Sequence, residues 1–148
     1  MNISNHYWYF QSAVPPRICD MIVQYGKAEK KRETLGITGA VGRNRDISKN
    51  PISKKEMKDN NKVRNSNIVW MNDPWIYKEI HPYVHMANKN AGWNFEWDFS
   101  ESCQFTIYRK GQYYGWHRDS WDRPYDEDGP TKGKIRKLSV TVSLSDPG

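Results

Sequence analysis

The stretch YRKGQYYGWHRDSW, from Tyr108 to Trp121, places a histidine and an aspartate two residues apart among tyrosine, tryptophan and glycine. On a β-strand, side chains two residues apart point to the same face, so His117 and Asp119 would share a face with Gly115, which leaves space beside them. An imidazole nitrogen and a carboxylate oxygen on one face can bind the same divalent metal ion, and a second histidine would complete a ligand set that suits iron(II). The alternative for the bare pair is a strand histidine that is hydrogen-bonded to a neighbouring carboxylate.

A longer pattern surrounds this pair. The motif Y-x-x-G-x-x-Y-x-x-H-x-D is matched by Tyr108, Gly111, Tyr114, His117 and Asp119. It resembles the motif of iron(II)- and 2-oxoglutarate-dependent oxygenases of the prolyl 4-hydroxylase-like type, in their bacterial and viral members. The resemblance covers about residues 63–147, since the segments before and after the motif are similar too. It implies an α+β fold in which a double-stranded β-helix, or jelly roll, is flanked by N-terminal helices, with the metal at the mouth of the barrel.

The resemblance implies a chemistry as well as a fold. His117 and Asp119 would be two of the three iron ligands, with 2-oxoglutarate and O2 as co-substrates and ascorbate as the reductant that restores iron(II). The expected reaction is hydroxylation of an unactivated C–H bond, with a prolyl residue or a similar group in a peptide or protein as the expected target. The alternative is a basic, aromatic nucleic-acid-binding module without catalysis, in which stacking and phosphate contacts supply the affinity.

Four further residues receive roles from the resemblance. Tyr108 matches the position whose hydroxyl contacts 2-oxoglutarate, and a packed strand tyrosine is the alternative. Ser143 stands where related hydroxylases have a tyrosine that helps to bind the far carboxylate of 2-oxoglutarate, so the serine or a bridging water would have to take over that contact. Tyr114 and Trp116 would border the substrate opening, with plain aromatic packing as an equal alternative.

Two groups that the family requires have no equivalent in this chain. A distal histidine and, further along, an Arg or Lys for the 2-oxoglutarate carboxylate would both lie after Ser145. The remaining histidines all precede the motif: His6, His81 and His85. The last two have the helical i, i+4 spacing of a metal-binding pair, but Pro82 between them and the lack of an acidic partner in register favour ordinary packing. We therefore expect the N-terminal part of a longer oxygenase domain, inactive when made alone, with helical support over about residues 14–91 and the first barrel strands over about residues 93–148.

Apolar periodicity and breaker residues predict the individual elements. Pro16 suits the start of the first helix and Gly26 offers a stop. A second helical stretch opens at Pro74, and Pro82 should divide it into two short helices. Strands are expected at residues 6–11, 35–41, 68–71, 94–99, 103–108, 113–119 and 137–145, with RKGQ at residues 109–112 as a hairpin turn.

The charge of the chain is concentrated in one segment. The formal net charge is +6 at pH 7, and eight of the 23 Lys and Arg residues but three of the 17 acids lie between Arg43 and Arg64. Pro51, many asparagines and no sustained apolar period predict a long loop with about one helical turn. Loops of this kind are usually just solvated, so we expect no nucleic-acid partner.

Composition limits the class of protein. Hydrophobic residues make up 36% of the chain, too few for a membrane protein, whereas aromatic residues make up 14%, too many for a disordered one. The N-terminus lacks the basic start and apolar run of a signal peptide, and no apolar stretch is long enough to span a bilayer. We expect a cytoplasmic globular domain without a membrane partner, and its oligomeric state cannot be read from the sequence.

Overall fold

The computed structural model describes residues 3–29, 32–39 and 47–145 of the 148-residue chain. Within these ranges three helices and five short strands form an α+β fold, which confirms the predicted class. The helices are α1 (Pro16–Ala28), α2 (Lys54–Val63) and α3 (Pro74–Asn90). The strands are β1 (Thr34–Leu35), β2 (Arg64–Asn65), β3 (Asn67–Met71), β4 (Cys103–Ile107) and β5 (Tyr113–Tyr114). None of the helices in these ranges is both long and apolar enough to cross a membrane.

The strands form two small antiparallel sheets, one with the order β1-β3-β4 and one of β2 and β5. One residue, Ser66, separates β2 from β3, whereas the five residues 108–112 separate β4 from β5. The connection between β4 and β5 is therefore the longer of the two. The predicted turn RKGQ lies there: the Gln112 N–H donates to the Arg109 carbonyl at 2.9 Å, and Gly111 has a φ of +79°, which favours glycine. The predicted hairpin is wrong, because β4 pairs with β3 and β5 pairs with β2. In the described residues no barrel or jelly roll closes, because closure needs strands that are paired on both edges.

The apolar core lies between α1, α3 and the strands β3 and β4. Its buried members are Ile18, Ile22, Val69, Met71, Ile76 and Phe105. Helix α1 approaches β4 so closely that a Cβ added to Gly26 would lie 2.5 Å from Phe105 Cδ1. Gly26 lies inside α1, and its lack of a side chain leaves room for the Phe105 ring. The prediction that the helix stops at this glycine is wrong, since α1 continues to Ala28. This close packing offsets the cost of roughly 1 kcal/mol that glycine brings to a helix interior.

Helix α3 runs unbroken through Pro82, so the predicted division into two helices is wrong. Proline lacks an N–H and leaves the carbonyl four residues earlier, that of Lys78, without its helical partner. Pro82 and Lys78 are both exposed, so water can donate to that carbonyl. Contacts on either side hold the helix, because Ile76 is buried in the core and the Tyr83 hydroxyl donates to the Ala13 carbonyl at 2.6 Å.

The basic segment contains a ten-residue helix, α2, where the sequence predicts a loop with about one helical turn. A capping box begins it: the Glu56 N–H donates to Ser53 Oγ at 3.3 Å, and the Ser53 N–H donates to Glu56 Oε2 at 2.9 Å. Its buried side chain is polar, that of Asn60, which accepts from the Thr38 N–H at 2.8 Å. Apolar periodicity cannot reveal a helix that is anchored by an amide. Residues 43–46 of the basic segment lie outside the described residues.

Three predicted strands, at residues 6–11, 94–99 and 137–145, are not strands in the structure. Alternating apolar residues indicate which side chains face inward, but a strand also needs a neighbouring backbone with which to pair. In segment 94–99 a side chain takes the place of that backbone. Asn88 donates from Nδ2 to the Phe95 carbonyl at 2.8 Å and accepts the Phe95 N–H on Oδ1 at 3.0 Å.

Of the other predicted strands, those at residues 68–71 and 103–108 are confirmed by β3 and β4. The strand predicted at residues 35–41 is present only at Leu35, within β1, and residues 40–41 lie outside the described residues. Strands β1, β2 and β3 lie between the helices α1 and α3, so helices and strands alternate along this part of the chain.

Candidate metal centre

Strand β5 brings the motif to the second sheet and ends at Tyr114. It pairs with β2 in the register Arg64↔Tyr114, and the Gly115 N–H donates to the Val63 carbonyl at 2.8 Å. The chain then bends, so the strand predicted over residues 113–119 ends after its first two residues. The histidine and the aspartate of the motif come together through this bend, and the prediction of a shared strand face is wrong.

His117 and Asp119, here called the His–Asp pair, contact each other directly. His117 Nε2 lies 3.0 Å from Asp119 Oδ1, and His117 Nδ1 lies 2.7 Å from the Gly115 carbonyl oxygen. A carbonyl oxygen only accepts hydrogen bonds, so Nδ1 carries the proton that is donated to Gly115. In a neutral imidazole the lone pair is then on Nε2, facing a carboxylate oxygen. Two acceptors come this close only with a proton or a cation between them.

The His–Asp pair has the geometry of two neighbouring ligands on one metal ion. A nitrogen and an oxygen that each lie about 2.1 Å from an ion, at a right angle to each other, are roughly 3 Å apart. Histidine ligands also commonly donate their second ring N–H to a backbone carbonyl, as His117 does to Gly115. These residues therefore fit a divalent cation as two of its ligands, and the mixed nitrogen and oxygen set suits iron(II).

Two residues that sequence reasoning missed orient Asp119. The Ser139 hydroxyl donates to Asp119 Oδ2, and the Arg136 guanidinium donates to the Asp119 backbone carbonyl. Glu101 holds Arg136 in turn, with Arg136 Nε 3.0 Å from Glu101 Oε1, and the hydrogen bond to this carboxylate raises the pKa of Arg136. Oδ1 of Asp119 is left for the histidine. The alternating hydroxyls of residues 137–145 were a sequence signal for Ser139, whereas no local pattern pointed to Arg136.

The Tyr114 ring contacts both His117 and Arg64 beside the His–Asp pair. The Tyr114 and His117 rings lie 3.6 Å apart, centroid to centroid, with 11° between their planes. The guanidinium carbon of Arg64 lies 4.5 Å from the Tyr114 ring centroid. The imidazole covers one face of the phenol ring, so the guanidinium lies over the other. A cation on an aromatic face that is shielded from water contributes about 2 kcal/mol. Tyr114, predicted to border a substrate opening, thus packs between Arg64 and His117.

The other residues that the resemblance selects lie apart from this cluster. Trp116 is fully exposed, and Tyr108, which follows β4, is 53% exposed. Ser143 is exposed, and its hydroxyl donates to the Ser145 carbonyl at 3.2 Å. In the part of the chain that the structure describes, no hydrogen bond or ring contact joins Tyr108, Trp116 or Ser143 to the His–Asp pair. Their expected roles stay predictions.

The described residues contain no group of three His, Cys, Asp or Glu side chains that could hold a metal ion. His81 and His85 pack, as the sequence predicts, with ring centroids 5.1 and 4.7 Å from that of Trp97. The Ser100 hydroxyl lies 3.1 Å from His81 Nε2, and burial together with the charge of His85 lowers the pKa of His81. A complete set of three protein ligands would need one from outside the described residues.

An open cavity of about 460 Å³ adjoins the carboxylate side of the His–Asp pair. It is lined by residues 118–121 and 136–139, so Asp119 forms part of its wall. Arg118 and Arg136 are among the lining residues. Cationic residues beside a candidate metal ligand suit a small molecule that carries a carboxylate.

Comparisons of the chain with protein-family models, with curated proteins and with solved structures found no match. The likeness to the oxygenases therefore rests on the residues of the motif and on what their geometry can do. Of these residues, Tyr114, His117 and Asp119 form one cluster. The cluster brings an imidazole nitrogen to 3.0 Å from a carboxylate oxygen, and that chemistry is the starting point for a function.

Proposed function

We propose that this protein is an iron(II)- and 2-oxoglutarate-dependent oxygenase of the prolyl 4-hydroxylase-like type. It hydroxylates a C–H bond in a peptide or protein, with a prolyl or similar residue as the target. The observation that carries the proposal is the His–Asp pair, whose Nε2 and Oδ1 atoms converge at 3.0 Å while Nδ1 is bound to the Gly115 carbonyl. In this proposal the two small sheets belong to a double-stranded β-helix.

The residues of the cluster hold and orient the reacting groups. Bound iron(II) would supply the redox chemistry that couples oxidation of 2-oxoglutarate by O2 to hydroxylation of the C–H bond, with ascorbate restoring the reduced metal. His117 Nε2 and Asp119 Oδ1 would bind the metal, while the Gly115 carbonyl keeps the imidazole in the required tautomer. The Ser139 hydroxyl restrains the carboxylate. The cavity beside Asp119 would receive 2-oxoglutarate.

Metal binding by the 148-residue chain tests this proposal. Mn(II) replaces iron(II) because it resists oxidation, and its free concentration is followed by electron paramagnetic resonance. We expect saturable but weak binding, since two protein ligands leave most coordination positions to water. 2-Oxoglutarate should tighten the binding, because its keto and carboxylate oxygens chelate one ion. Succinate, which lacks the keto oxygen, is the matched control and should have little effect.

Turnover is the second arm of the test. In the native protein, formation of succinate from 2-oxoglutarate should require iron(II) and should stop when a chelator removes the metal. Metal-independent turnover would contradict the proposal, as would Mn(II) binding that 2-oxoglutarate and succinate affect equally.

Tyr108→Phe should raise the concentration of 2-oxoglutarate that half-saturates turnover by about tenfold or less. The substitution removes one hydrogen bond to a charged group, and such a bond contributes roughly 1.5 kcal/mol. The measurement is succinate formation by the native protein as a function of 2-oxoglutarate concentration. Tyr9→Phe removes a hydroxyl from another exposed tyrosine and is the control. An unchanged dependence in Tyr108→Phe would remove Tyr108 from the proposed site.

A basic nucleic-acid-binding module is the second candidate, and helix α2 is the observation that favours it. The helix exposes Lys54, Lys55 and Lys58, while Lys62 near its end pairs with Asp59 at 2.7 Å. Exposed lysines on one helix can contact phosphates without reading sequence, and such binding weakens steeply with salt. The two candidates differ in what these lysines should do.

Changing Lys54, Lys55 and Lys58 together to glutamine should leave Mn(II) binding and 2-oxoglutarate turnover unchanged, because the proposed metal chemistry needs no charge on α2. The measurements are the Mn(II) titration and, in the native protein, succinate formation without a peptide substrate. The triple change to arginine keeps the charge and is the control. Loss of turnover in the glutamine variant would mean that α2 forms part of the proposed metal site. Loss of salt-sensitive binding to single-stranded DNA in that variant would support the nucleic-acid-binding candidate.

A further inference from the structure

We propose that Arg64 is a positioning residue, which holds Tyr114 and through it sets the ring of His117 for metal binding. The proposal rests on the proposed function of the His–Asp pair, and it adds a residue that holds this pair in the geometry for metal binding. Arg64 lies outside the motif, and it contacts His117 only through Tyr114, which lies between them.

The burial of Arg64 is the first observation. The residue is 4% exposed, and its NH2 group is buried with no hydrogen-bond partner. Its Nε donates to Ser66 Oγ at 2.9 Å, and no carboxylate among the described residues pairs with it. A buried charge without an acidic partner destabilises a fold, so an apolar side chain would serve the packing better. The favourable contact that Arg64 makes at this position is that of its guanidinium with the face of the Tyr114 ring.

The surroundings of Arg64 hold the guanidinium in one place. A Cβ added to Gly36 would lie 2.3 Å from Arg64 Nε, so the absence of a side chain there makes the space. Asn60 Nδ2 donates to the Gly36 carbonyl at 3.1 Å and to the Arg64 carbonyl at 3.2 Å, which ties both backbones to α2. The guanidinium plane is therefore fixed from the side of the sheet, and Tyr114 lies against a rigid surface.

Tyr114 in turn restrains the orientation of the His117 ring. The two rings are nearly parallel at 3.6 Å, and His117 Nδ1 is held by the Gly115 carbonyl at 2.7 Å. The stack and the hydrogen bond together determine the ring plane, so Nε2 faces Asp119 Oδ1 before any ion arrives. Without the stack, the imidazole can rotate about its broad second torsion, and metal binding has to order it.

The test measures Mn(II) affinity in variants of the 148-residue chain. Tyr114→Leu should weaken binding about tenfold, at the lower end of the effect of outer-shell partners, whereas Tyr114→Phe should match the wild type because the stack needs no hydroxyl. Arg64→Gln and Arg64→Lys should both weaken binding, since neither keeps a planar cation. Tyr113→Leu, on the same strand, and Arg109→Gln, which removes an ion pair with Glu33, are the controls.

A double-mutant cycle separates positioning from a general structural role. If Arg64 acts through Tyr114, then Arg64→Gln should weaken Mn(II) binding in the wild-type background and have no further effect in Tyr114→Leu. An equal effect in both backgrounds would overturn the proposal. If Arg64→Gln does not fold, as judged by near-ultraviolet circular dichroism, the comparison of Tyr114→Leu with Tyr114→Phe decides, and equal affinities overturn it.

The two proposals fail in different ways. Mn(II) binding that survives His117→Ala would remove the metal site, and with it both the proposed function and the role of Arg64. Binding that is lost in His117→Ala but unchanged in Tyr114→Leu would leave the metal site in place and overturn the positioning role alone. In the chain without metal, nuclear magnetic resonance should show one sharp set of His117 ring signals, which Tyr114→Leu should broaden.

Discussion

His117→Ala and Asp119→Ala are each expected to abolish Mn(II) binding by the chain and succinate formation by the native protein, while the fold survives. Each change removes one of the two proposed protein ligands, so the loss of affinity should exceed the about 10- to 100-fold typical of outer-shell partners. The side chains are 33% and 46% exposed, and their packing is limited to the stack of His117 on Tyr114. We therefore expect each change to lower the free energy of unfolding by about 1 kcal/mol or less.

The checks are a Mn(II) titration, a succinate assay and a thermal unfolding curve on the same samples. Two control substitutions remove side chains of the same kinds at exposed positions outside the pair: His85→Ala and Asp122→Ala. Both should bind Mn(II) as the wild type does. Near-normal succinate formation in either His117→Ala or Asp119→Ala would show that the metal assignment is wrong.

Phe105→Ala is expected to have the largest effect on stability, lowering the free energy of unfolding by about 3–5 kcal/mol. The Phe105 ring is 8% exposed and fills the space beside Gly26, so its removal leaves a cavity between α1 and β4. Because small domains are stable by only about 5–15 kcal/mol, this loss would remove a large share of the chain's free energy of unfolding.

Urea denaturation followed by tryptophan fluorescence measures this change. Phe99→Ala removes the same side chain from a position that is 40% exposed and should cost much less. A loss below about 1 kcal/mol in Phe105→Ala would mean that the contact between α1 and β4 is looser than the structure places it.

Elements that depend on near neighbours were readable from the sequence. The proline at the start of α1, the apolar residues of β3 and β4 and the glycine of the turn at residues 109–112 all act within a few residues. The predictions of a helix end at Gly26 and a helix break at Pro82 were wrong for the same reason. Each residue disfavours a helix by local rules, but each lies within a helix whose contacts with distant residues outweigh that preference. Helix α2 was missed because its buried residue is an asparagine and not an apolar stripe.

For the candidate site, the sequence supplied the chemical identity of the His–Asp pair and the expectation of a shared metal ion. Their approach depends on a bend and on partners far along the chain: Arg136 lies 17 residues from Asp119, and Ser139 lies 20 residues from it. The contact of Arg64 with Tyr114 likewise arises from the pairing of β2 with β5. Residue types and spacing specify which ligand atoms are present, whereas their orientation follows from long-range packing and hydrogen bonds, which no local pattern encodes.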